Sequence, residues 1–247
     1  MRSSDKKPKL TSYDDIFSTE ESRQQEHIQW TSLRELHPFK NHPFRVLDDD
    51  RMMETVESVK AYGVLVPIIA RPSEDGYEIV SGHRRKRACE LAGLDEIPVI
   101  VRNLDDDEAV IIMVDSNLQR ENILPSERAK AYQMKLEAIK RQTARGRPVG
   151  DNSRQVGENY SVSKVAEDLG ESERQVQRFI RLNQLEQTLM DKVDSGKLAF
   201  TPAVELSYLK PEEQQWLDAA LEETQQTPSL SQAQRMKRES KIGRAHV

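Results

Sequence analysis

The stretch SVSKVAEDLGESERQVQRFIRL, residues 161–182, has the pattern of two helices joined by a short turn. Apolar side chains recur at helical spacing along one face of its first half, at Val162, Val165, Ala166 and Leu169. Gly170 offers the left-handed backbone conformation that ends a helix at low cost. Ser172 and Gln175 then match a capping box that begins a second helix. This spacing predicts a helix-turn-helix.

The predicted second helix has an apolar side, with Val176 and Ile180 facing inward, and a polar side. The polar side is rich in hydrogen-bond donors, which suit phosphates and base edges in a DNA major groove. Together with the capping pair, it gives the predicted DNA-binding set: Ser172, Arg174, Gln175, Gln177, Arg178 and Arg181. The alternative interpretation is an ordinary helical hairpin with a solvated charged face.

The composition excludes several classes of protein. The 247 residues carry a net charge of −5, so the chain is not a uniformly basic nucleic-acid coat. The single cysteine, Cys89, excludes an internal disulfide and fits a reducing cytosol. Neither a membrane span nor a signal peptide is present in the pattern, so a cytoplasmic location is expected.

Positive charge is concentrated between Arg128 and Arg147, where seven Lys or Arg accompany one acidic residue. This basic block fits phosphate contacts or a solvated helix.

The chain divides into segments with different patterns. Strand-like and helix-like stretches alternate before residue 124, with helices predicted at 48–62, 83–92 and from 105, and strands at 64–70, 77–80 and 97–101. From Leu124 the pattern is helical, with a flexible connector at 143–159. The expected organisation is a flexible arm at 1–27, an α+β nucleotide-binding domain at 28–123, a helical domain at 124–226, and a linker or helix start at 227–241.

Two polar segments suggest phosphate chemistry. SGHRRKRA, at residues 81–88, follows a predicted strand and opens a predicted helix, where a glycine and free N–H groups favour an anion. Arg84, Arg85 and Arg87 add charge that suits a polyphosphate. SNLQREN, at 116–122, lies just before the helix that begins at Pro125. Its Asn117 can ligate a metal ion or a phosphate, or the segment can be an elaborate helix cap.

In this order the segments resemble the motifs of the ParB family of partition proteins. A Gly-x-x-x-Pro-Ile segment occurs at 63–68, the family's Gly-Glu-Arg-Arg box at 82–85, and its Glu-Asn-Leu-Gln-Arg box at 116–120, followed by LPSE at 124–127. The resemblance covers about residues 28–225, and three ordered motifs are more specific than any one alone. It implies an α+β N-terminal ParB/sulfiredoxin-like domain followed by an all-α helix-turn-helix domain.

The resemblance also implies a function. ParB-like proteins bind a palindromic, centromere-like DNA site as homodimers, bind CTP with Mg²⁺, and close into a clamp that slides along DNA. A ParA-type ATPase then moves the cargo, which can be a plasmid, a mobile element or a chromosome, so the protein would be associated with nucleoid or plasmid. The nucleotide-binding residues implied are Arg45, Gly63, Pro67, Gly82, His83, Arg84, Arg85, Ser116, Asn117 and Arg120. Asn117 would also place Mg²⁺.

Two departures from the family pattern bear on this expectation. The glutamate of the second box is His83, and the acidic residue that precedes the third-box asparagine is Ser116. Asp115 lies one position earlier, so on a helix its carboxylate points in another direction. Serine lacks the charge to bind Mg²⁺ strongly or to polarise water, so CTP binding is better supported than hydrolysis.

Two other functions compete with a CTP-dependent clamp. Sulfiredoxins share the fold and use a Gly-Cys-His-Arg motif, but the matching residues at 81–84 hold no thiol and Cys89 fits a core position. A site-specific DNA-binding regulator without CTP switching is the second alternative.

The last six residues, Ile242 to Val247, read as the translation of a common sequencing adaptor. We therefore expect these six residues to be an artefact and the natural chain, with a dimerisation domain, to continue.

Overall fold

The computed structural model describes residues 28–120, 122–145, 154–224 and 226–245. The arm expected at residues 1–27 lies outside these ranges. The first domain contains a mixed five-stranded sheet with the order β1-β5-β3-β4-β2. Its strands are β1 (Ile28–Ser32), β2 (Leu36–His37), β3 (Ile68–Ser73), β4 (Gly76–Ser81) and β5 (Glu96–Val101). β1/β5 and β3/β4 are antiparallel pairs, whereas β3/β5 and β2/β4 are parallel.

Helices cover both faces of this sheet. They are α1 (Asp50–Tyr62), α2 (His83–Ala92) and α3 (Asp106–Leu118). α1 and α2 pack on one face, where Met52 and Ala88 share a core with Ile79. α3 packs on the other face, where Met113 shares a core with Val80. The neighbours Ile79 and Val80 enter different cores because successive side chains of a strand point to opposite faces.

β3 begins at Ile68, four residues later than the sequence pattern predicts. Gly63 ends α1 with φ +71°, and the residues that follow form an irregular connection. Leu65 and Val66 in this connection are 76% and 62% exposed. The carbonyl groups of Val66 and Pro67 accept hydrogen bonds from a side chain of α2. The prediction of a strand from Val64 is therefore wrong, because an apolar run indicates burial only where a neighbouring strand is available.

The second domain is helical throughout its described residues. Its helices are α4 (Pro125–Arg145), α5 (Arg154–Leu169), α6 (Glu173–Leu182), α7 (Gln187–Asp194), α8 (Phe200–Leu206), α9 (Pro211–Thr224) and α10 (Leu230–Ala245). α4 and α5 extend into the expected connector at 143–159, of which residues 146–153 lie outside the described part of the chain. Within the described residues, no helix is long and apolar enough to cross a membrane.

The turn between α5 and α6 follows the sequence pattern closely. Val165 and Ala166 of α5 and Val176 of α6 are buried in one core. Gly170 has φ +64°, and Ser172 Oγ accepts a hydrogen bond from the backbone N–H of Gln175. The Gln175 side chain accepts a hydrogen bond from Arg178 instead of returning to the cap. Only half of the predicted capping box is therefore present.

α4 joins the two domains through a lysine that is fully buried. Lys135 Nζ lies 2.6 Å from Asp115 Oδ1 of α3 and 3.1 Å from Asp168 Oδ2 of α5. Further along α4, Arg141 and Arg145 contact the buried carboxylate of Asp107, at 2.7 and 2.9 Å. Much of the basic block therefore pairs with acids of this chain. Lys135 is therefore inaccessible to a phosphate, whereas phosphate contacts by the half-exposed Arg141 and Arg145 stay a prediction.

Candidate functional site

β4 passes into α2 at Gly82, which lies in a left-handed conformation with φ +108°. A Cβ at this position would lie 2.5 Å from Ile68 Cγ2, so a larger residue does not fit without movement of the core. No side chain caps the N-terminus of α2. The first backbone N–H groups of the helix and its dipole therefore favour a negative charge here. We refer to Gly82 to Arg85 as the anion cradle.

Arg85 extends back toward Gly82. Its Cζ would lie 3.3 Å from a Cβ on Gly82, and its Nη1 donates to the carbonyl groups of Val66 and Pro67. Burial lowers the pKa of the Arg85 guanidinium. Among the described residues, no carboxylate contacts it. The carbonyl groups solvate the guanidinium but leave its charge in place, so beside the positive end of a helix it is electrostatically suited to an anionic ligand.

The other two arginines of this helix are held by acids near the start of α1. Arg84 Nη2 lies 3.1 Å from Asp49 Oδ1, and hydrogen bonding from Arg84 lowers the pKa of the Asp49 carboxyl. Arg87 binds both oxygens of Asp48, at 3.0 and 2.6 Å. Arg84 is part of the anion cradle, whereas Arg87 lies outside it and is held by Asp48. The sequence-based suggestion that Arg87 adds charge for a polyphosphate is therefore not supported.

Arg120 adds a further cation to the same region. Burial and the nearby charge of Arg84 lower the pKa of Arg120, and the carboxylate of Glu127 opposes this change. The Arg120 guanidinium also lies over the Phe44 ring, 5.9 Å from its centroid. The structure thus brings Arg120, from the third family motif, next to Arg84, from the second.

His83 is buried, and its ring packs against that of a second histidine at a tilt of 43°. The rings of His83 and His42 have centroids 3.9 Å apart. His83 Nε2 accepts a hydrogen bond from the Phe39 N–H, so a neutral ring carries its proton on Nδ1, which has no partner among the described residues. Burial, reinforced by His42, Arg120 and Lys86, lowers the pKa of His83 to about 3. His83 is therefore a neutral residue, where the family has a carboxylate.

The third motif lies at the end of α3. Asn117 is buried, and its amide nitrogen donates to the Met113 carbonyl at 2.7 Å. Ser116 is exposed, and its hydroxyl donates to the same carbonyl at 3.0 Å. The Asp115 carboxylate is paired with Lys135, so it points away from this site. The Asn117 amide nitrogen is thus occupied within its own helix, and neither Asp115 nor Ser116 brings a carboxylate to this site.

The remaining predicted nucleotide-binding residues lie around this region. The Arg45 backbone N–H donates to Glu127 Oε1 at 2.8 Å, and the Arg45 side chain is exposed. Pro67 contacts Arg85 through its carbonyl group, whereas Gly63 lies at the end of α1 in open space. The buried carboxylate of Glu127 also accepts the Leu124 N–H. Glu127 lies in the LPSE segment but was not among the predicted site residues.

The residues predicted to contact DNA separate into two groups on α6. Arg174 and Gln177 are exposed, whereas Ser172 and Gln175 take part in the cap. Arg178 Nη2 donates to Thr201 Oγ1 at 2.8 Å and its guanidinium lies 4.8 Å from the Phe200 ring centroid. Arg181 donates to Ser207. The sequence pattern places four long side chains of α6 outward. Two of them, Arg178 and Arg181, instead bind α8 and the residue that follows it.

Known proteins are similar to this chain in sequence. Residues 18–118 match the family model described as the ParB N-terminal domain. The chromosome-partitioning protein Spo0J of Thermus thermophilus is 31% identical over 184 residues, which cover 74% of this chain and 61% of that protein. The nucleoid occlusion protein of Listeria monocytogenes is 31% identical over 189 residues, covering 76% and 60%. The chain therefore spans about three fifths of the length of these relatives.

One solved structure supports the same fold. C-terminally truncated ParB from Caulobacter crescentus, complexed to the centromeric parS site, superimposes with a TM-score of 0.50 at 24% identity, covering 85% of this chain and 99% of that one. A structure of the same protein complexed with CTP-gamma-S matches at 26% identity with a TM-score of 0.36, covering 79% and 98%.

Fold and motifs together define a class of proteins in which a ParB/sulfiredoxin-like α+β domain precedes a helical region. The three family motifs lie together around the N-terminus of α2. The match to the ParB N-terminal domain and the similar chromosome-partitioning proteins together support assignment of the chain to the ParB family of partition proteins.

Proposed function

We propose that this chain is a DNA-binding partition protein that recognises a palindromic, centromere-like site and uses CTP binding to form a sliding clamp. The observation that carries the nucleotide part is Arg85, a partly buried cation without a carboxylate partner among the described residues, beside the glycine turn of α2. We further propose that the protein acts as a homodimer with a ParA-type ATPase in plasmid, mobile-element or chromosome segregation.

The anion cradle fits a triphosphate on three counts. The space beside Gly82 excludes a side chain, the first turn of α2 presents free N–H groups, and Arg84, Arg85 and Arg120 supply charge. Bound CTP would bring a cytosine base and three phosphates with their associated Mg²⁺. Mg²⁺ keeps several waters and takes substrate phosphates as ligands, so the Asn117 carbonyl oxygen can complete a site with few protein ligands.

The same geometry favours CTP binding over CTP hydrolysis. The Ser116 hydroxyl donates to a backbone carbonyl of its own helix, and the Asp115 carboxylate pairs with Lys135. Neither group is therefore placed to polarise an attacking water next to the cradle. We propose a clamp that binds CTP and hydrolyses it slowly or not at all.

DNA recognition is proposed for the exposed side of α6. Arg174 and Gln177 are exposed there and have the hydrogen-bonding groups that read base edges and phosphates. The Caulobacter relative was crystallised on the parS site. A dimer that places one α6 in each half-site would explain recognition of a palindrome.

The first experiment is a calorimetric titration of CTP, ATP and GTP into the protein with Mg²⁺, in the presence and absence of DNA. We expect selective CTP binding, which Arg85→Ala abolishes. Arg87→Ala is the matched control, because it removes an arginine two positions away that is held by Asp48. Equal affinity for all three nucleotides, or equal losses in the two variants, would contradict the proposal.

A second candidate is a site-specific DNA-binding regulator without CTP switching. The position of Ser116, exposed and bonded within its own helix, favours this alternative because it leaves the site without the family's acidic group. Amine-reactive crosslinking separates the two functions. A clamp predicts that CTP and DNA together increase the crosslinked dimer, whereas the regulator predicts the same yield with and without CTP.

A further inference from the structure

Arg181, predicted from the sequence to contact DNA, is turned back onto the helical domain. Its Nε lies 3.2 Å from Ser207 Oγ, and its Nη2 donates to the Ser207 carbonyl group. Ser207 directly follows α8, so the guanidinium satisfies an acceptor at the negative end of that helix. The guanidinium carbon also lies 4.1 Å from the centroid of the Tyr208 ring. Ser207 therefore occupies the Nε/Nη2 edge of the guanidinium, and the Tyr208 ring occupies one of its faces.

Tyr208 connects this contact to α10. Lys237 of α10 has its Nζ 3.6 Å from the centroid of the same ring and 2.6 Å from Glu205 Oε2. The Lys237 and Glu205 side chains are only 22% and 23% exposed, so solvent screens this pair less than it screens most surface pairs. Arg181, Tyr208 and Lys237 thus form a continuous set of contacts from α6, past the end of α8, to α10.

We infer that Arg181 and Tyr208 are positioning residues that set the orientation of α6, and that α10 belongs to the unit that presents this helix to DNA. The inference rests on the proposed DNA binding. A bidentate contact between Arg181 and a guanine through Nε and Nη2 would require the hydrogen bonds to Ser207 to break. Contact with DNA is left to the exposed residues Arg174 and Gln177.

Salt dependence distinguishes a positioning residue from a phosphate contact. Loss of one phosphate contact lowers the slope of log K against log salt by about one, whereas loss of orientation lowers affinity without changing that slope. Duplexes would first be selected from a randomised pool with the wild-type chain. We expect Arg181→Ala and Tyr208→Leu each to weaken binding by about tenfold or more at unchanged slope, as a misplaced recognition helix would.

Further variants serve as matched controls. Arg174→Ala is expected to lower the slope, and Tyr208→Phe, which keeps the ring, to retain wild-type affinity. On α10, Lys237→Ala is expected to weaken binding, whereas Arg235→Ala, which removes a 75% exposed arginine paired with Glu239, is expected to have no effect. Arg181→Lys tests the hydrogen-bonding edge, because lysine keeps the charge but cannot form both contacts with Ser207.

The inference is wrong if Arg181→Lys keeps wild-type affinity while Arg181→Ala lowers the slope by about one, as a phosphate contact requires. A second measurement needs no DNA: the free energy of unfolding of Arg181→Lys, Tyr208→Leu and the double variant. Contact between the two residues predicts that the double variant loses less than the sum of the single losses, and additive losses would overturn it. If the wild-type chain selects no duplex, the proposed DNA binding fails, and the unfolding data still decide whether the contact exists.

Discussion

Lys135 Nζ lies 2.6 Å from Asp115 Oδ1 and 3.1 Å from Asp168 Oδ2, and the lysine side chain is fully buried. The three residues belong to α4, α3 and α5, so one ammonium group connects the α+β domain to the helical region. Burial disfavours the ionised form of the Asp168 carboxyl. Hydrogen bonds from Lys164 and Lys135 outweigh this effect and hold the pKa of Asp168 below its ordinary value. The contact also explains why Asp115 cannot replace the missing acid at Ser116.

Removal of both carboxylates is expected to cost more stability than removal of the lysine. Asp115→Asn with Asp168→Asn leaves an uncompensated ammonium in the interior, which costs about 3 kcal/mol. Lys135→Met keeps the aliphatic packing and leaves two carboxylates that are 45% and 28% exposed, so we expect a loss of about 1 kcal/mol. Urea unfolding measures both values.

Lys164→Met is the control for this comparison. Lys164 bonds the same Asp168 but is 43% exposed, so its loss is expected to change the free energy of unfolding by less than about 0.5 kcal/mol. A larger loss for Lys135→Met than for the double carboxylate variant would show that the buried ammonium is not the group that needs compensation.

Gly82→Ala is expected to destabilise the protein by about 2 kcal/mol or more, because strain and a steric overlap add. The residue has φ +108°, and the new Cβ would lie 2.5 Å from Ile68 Cγ2. Gly93→Ala is the control at the other end of α2, since Gly93 has φ +75° but open space around a Cβ. Its expected cost is about 1 kcal/mol. Equal costs measured by urea unfolding would argue against a close approach at Gly82.

The fold was more predictable from the sequence than the details of the site. Local signals determine helix ends, and the helices predicted at 48–62 and 83–92 appear at Asp50–Tyr62 and His83–Ala92 because Asp49 and Gly93 cap them. The motif residues Gly82, Arg84, Arg85 and Arg120 also lie together, as the family resemblance implies. β1 and β2 carry too weak a pattern for their pairing with β5 and β4 to be predicted.

Side-chain partners were the least predictable part, because they depend on contacts between residues distant in the sequence. An outward position on α6 does not show that Arg181 will bind Ser207, nor does a basic block show that Lys135 will be buried. His42 is 41 positions from His83, and only the packing of the Phe39 loop on α2 brings the rings together. Periodicity identifies the face of a helix, whereas these pairings depend on the tertiary arrangement.

Acid is expected to destabilise the protein through His83. The folded-state pKa is lowered to about 3, against 6.5 for an unperturbed histidine, so the unfolded state takes up the proton first as pH falls. The contribution of the neutral His83 to the free energy of unfolding is constant above pH 6.5 and is lost as pH falls from 6.5 to about 3. From pH 6.5 to 5 we expect a loss of about 1 to 2 kcal/mol.

His83→Gln isolates this contribution, because glutamine can still accept the Phe39 N–H but does not titrate. As pH falls from 6.5 to 5, the wild type should lose free energy of unfolding that the variant keeps. This window lies above most carboxyl titrations. Parallel curves for the wild type and the variant would show that His83 is not held neutral in the fold.

Glu127→Gln is expected to loosen the connection between the Arg45 segment and the start of α4. The two carboxylate oxygens accept the N–H groups of Arg45 and Leu124, at 2.8 and 3.2 Å, and the side chain is buried. A glutamine offers one oxygen and one NH₂ group, so one backbone N–H loses its acceptor, at a cost of about 1 to 2 kcal/mol. Amide hydrogen exchange should accelerate at Arg45 or Leu124, depending on the orientation of the glutamine side-chain amide in the variant.

Glu137→Gln, at an exposed position of the same helix, is the control and should leave the exchange of both backbone amides unchanged. Wild-type protection of both amides in Glu127→Gln would show that the carboxylate does not hold these two segments together.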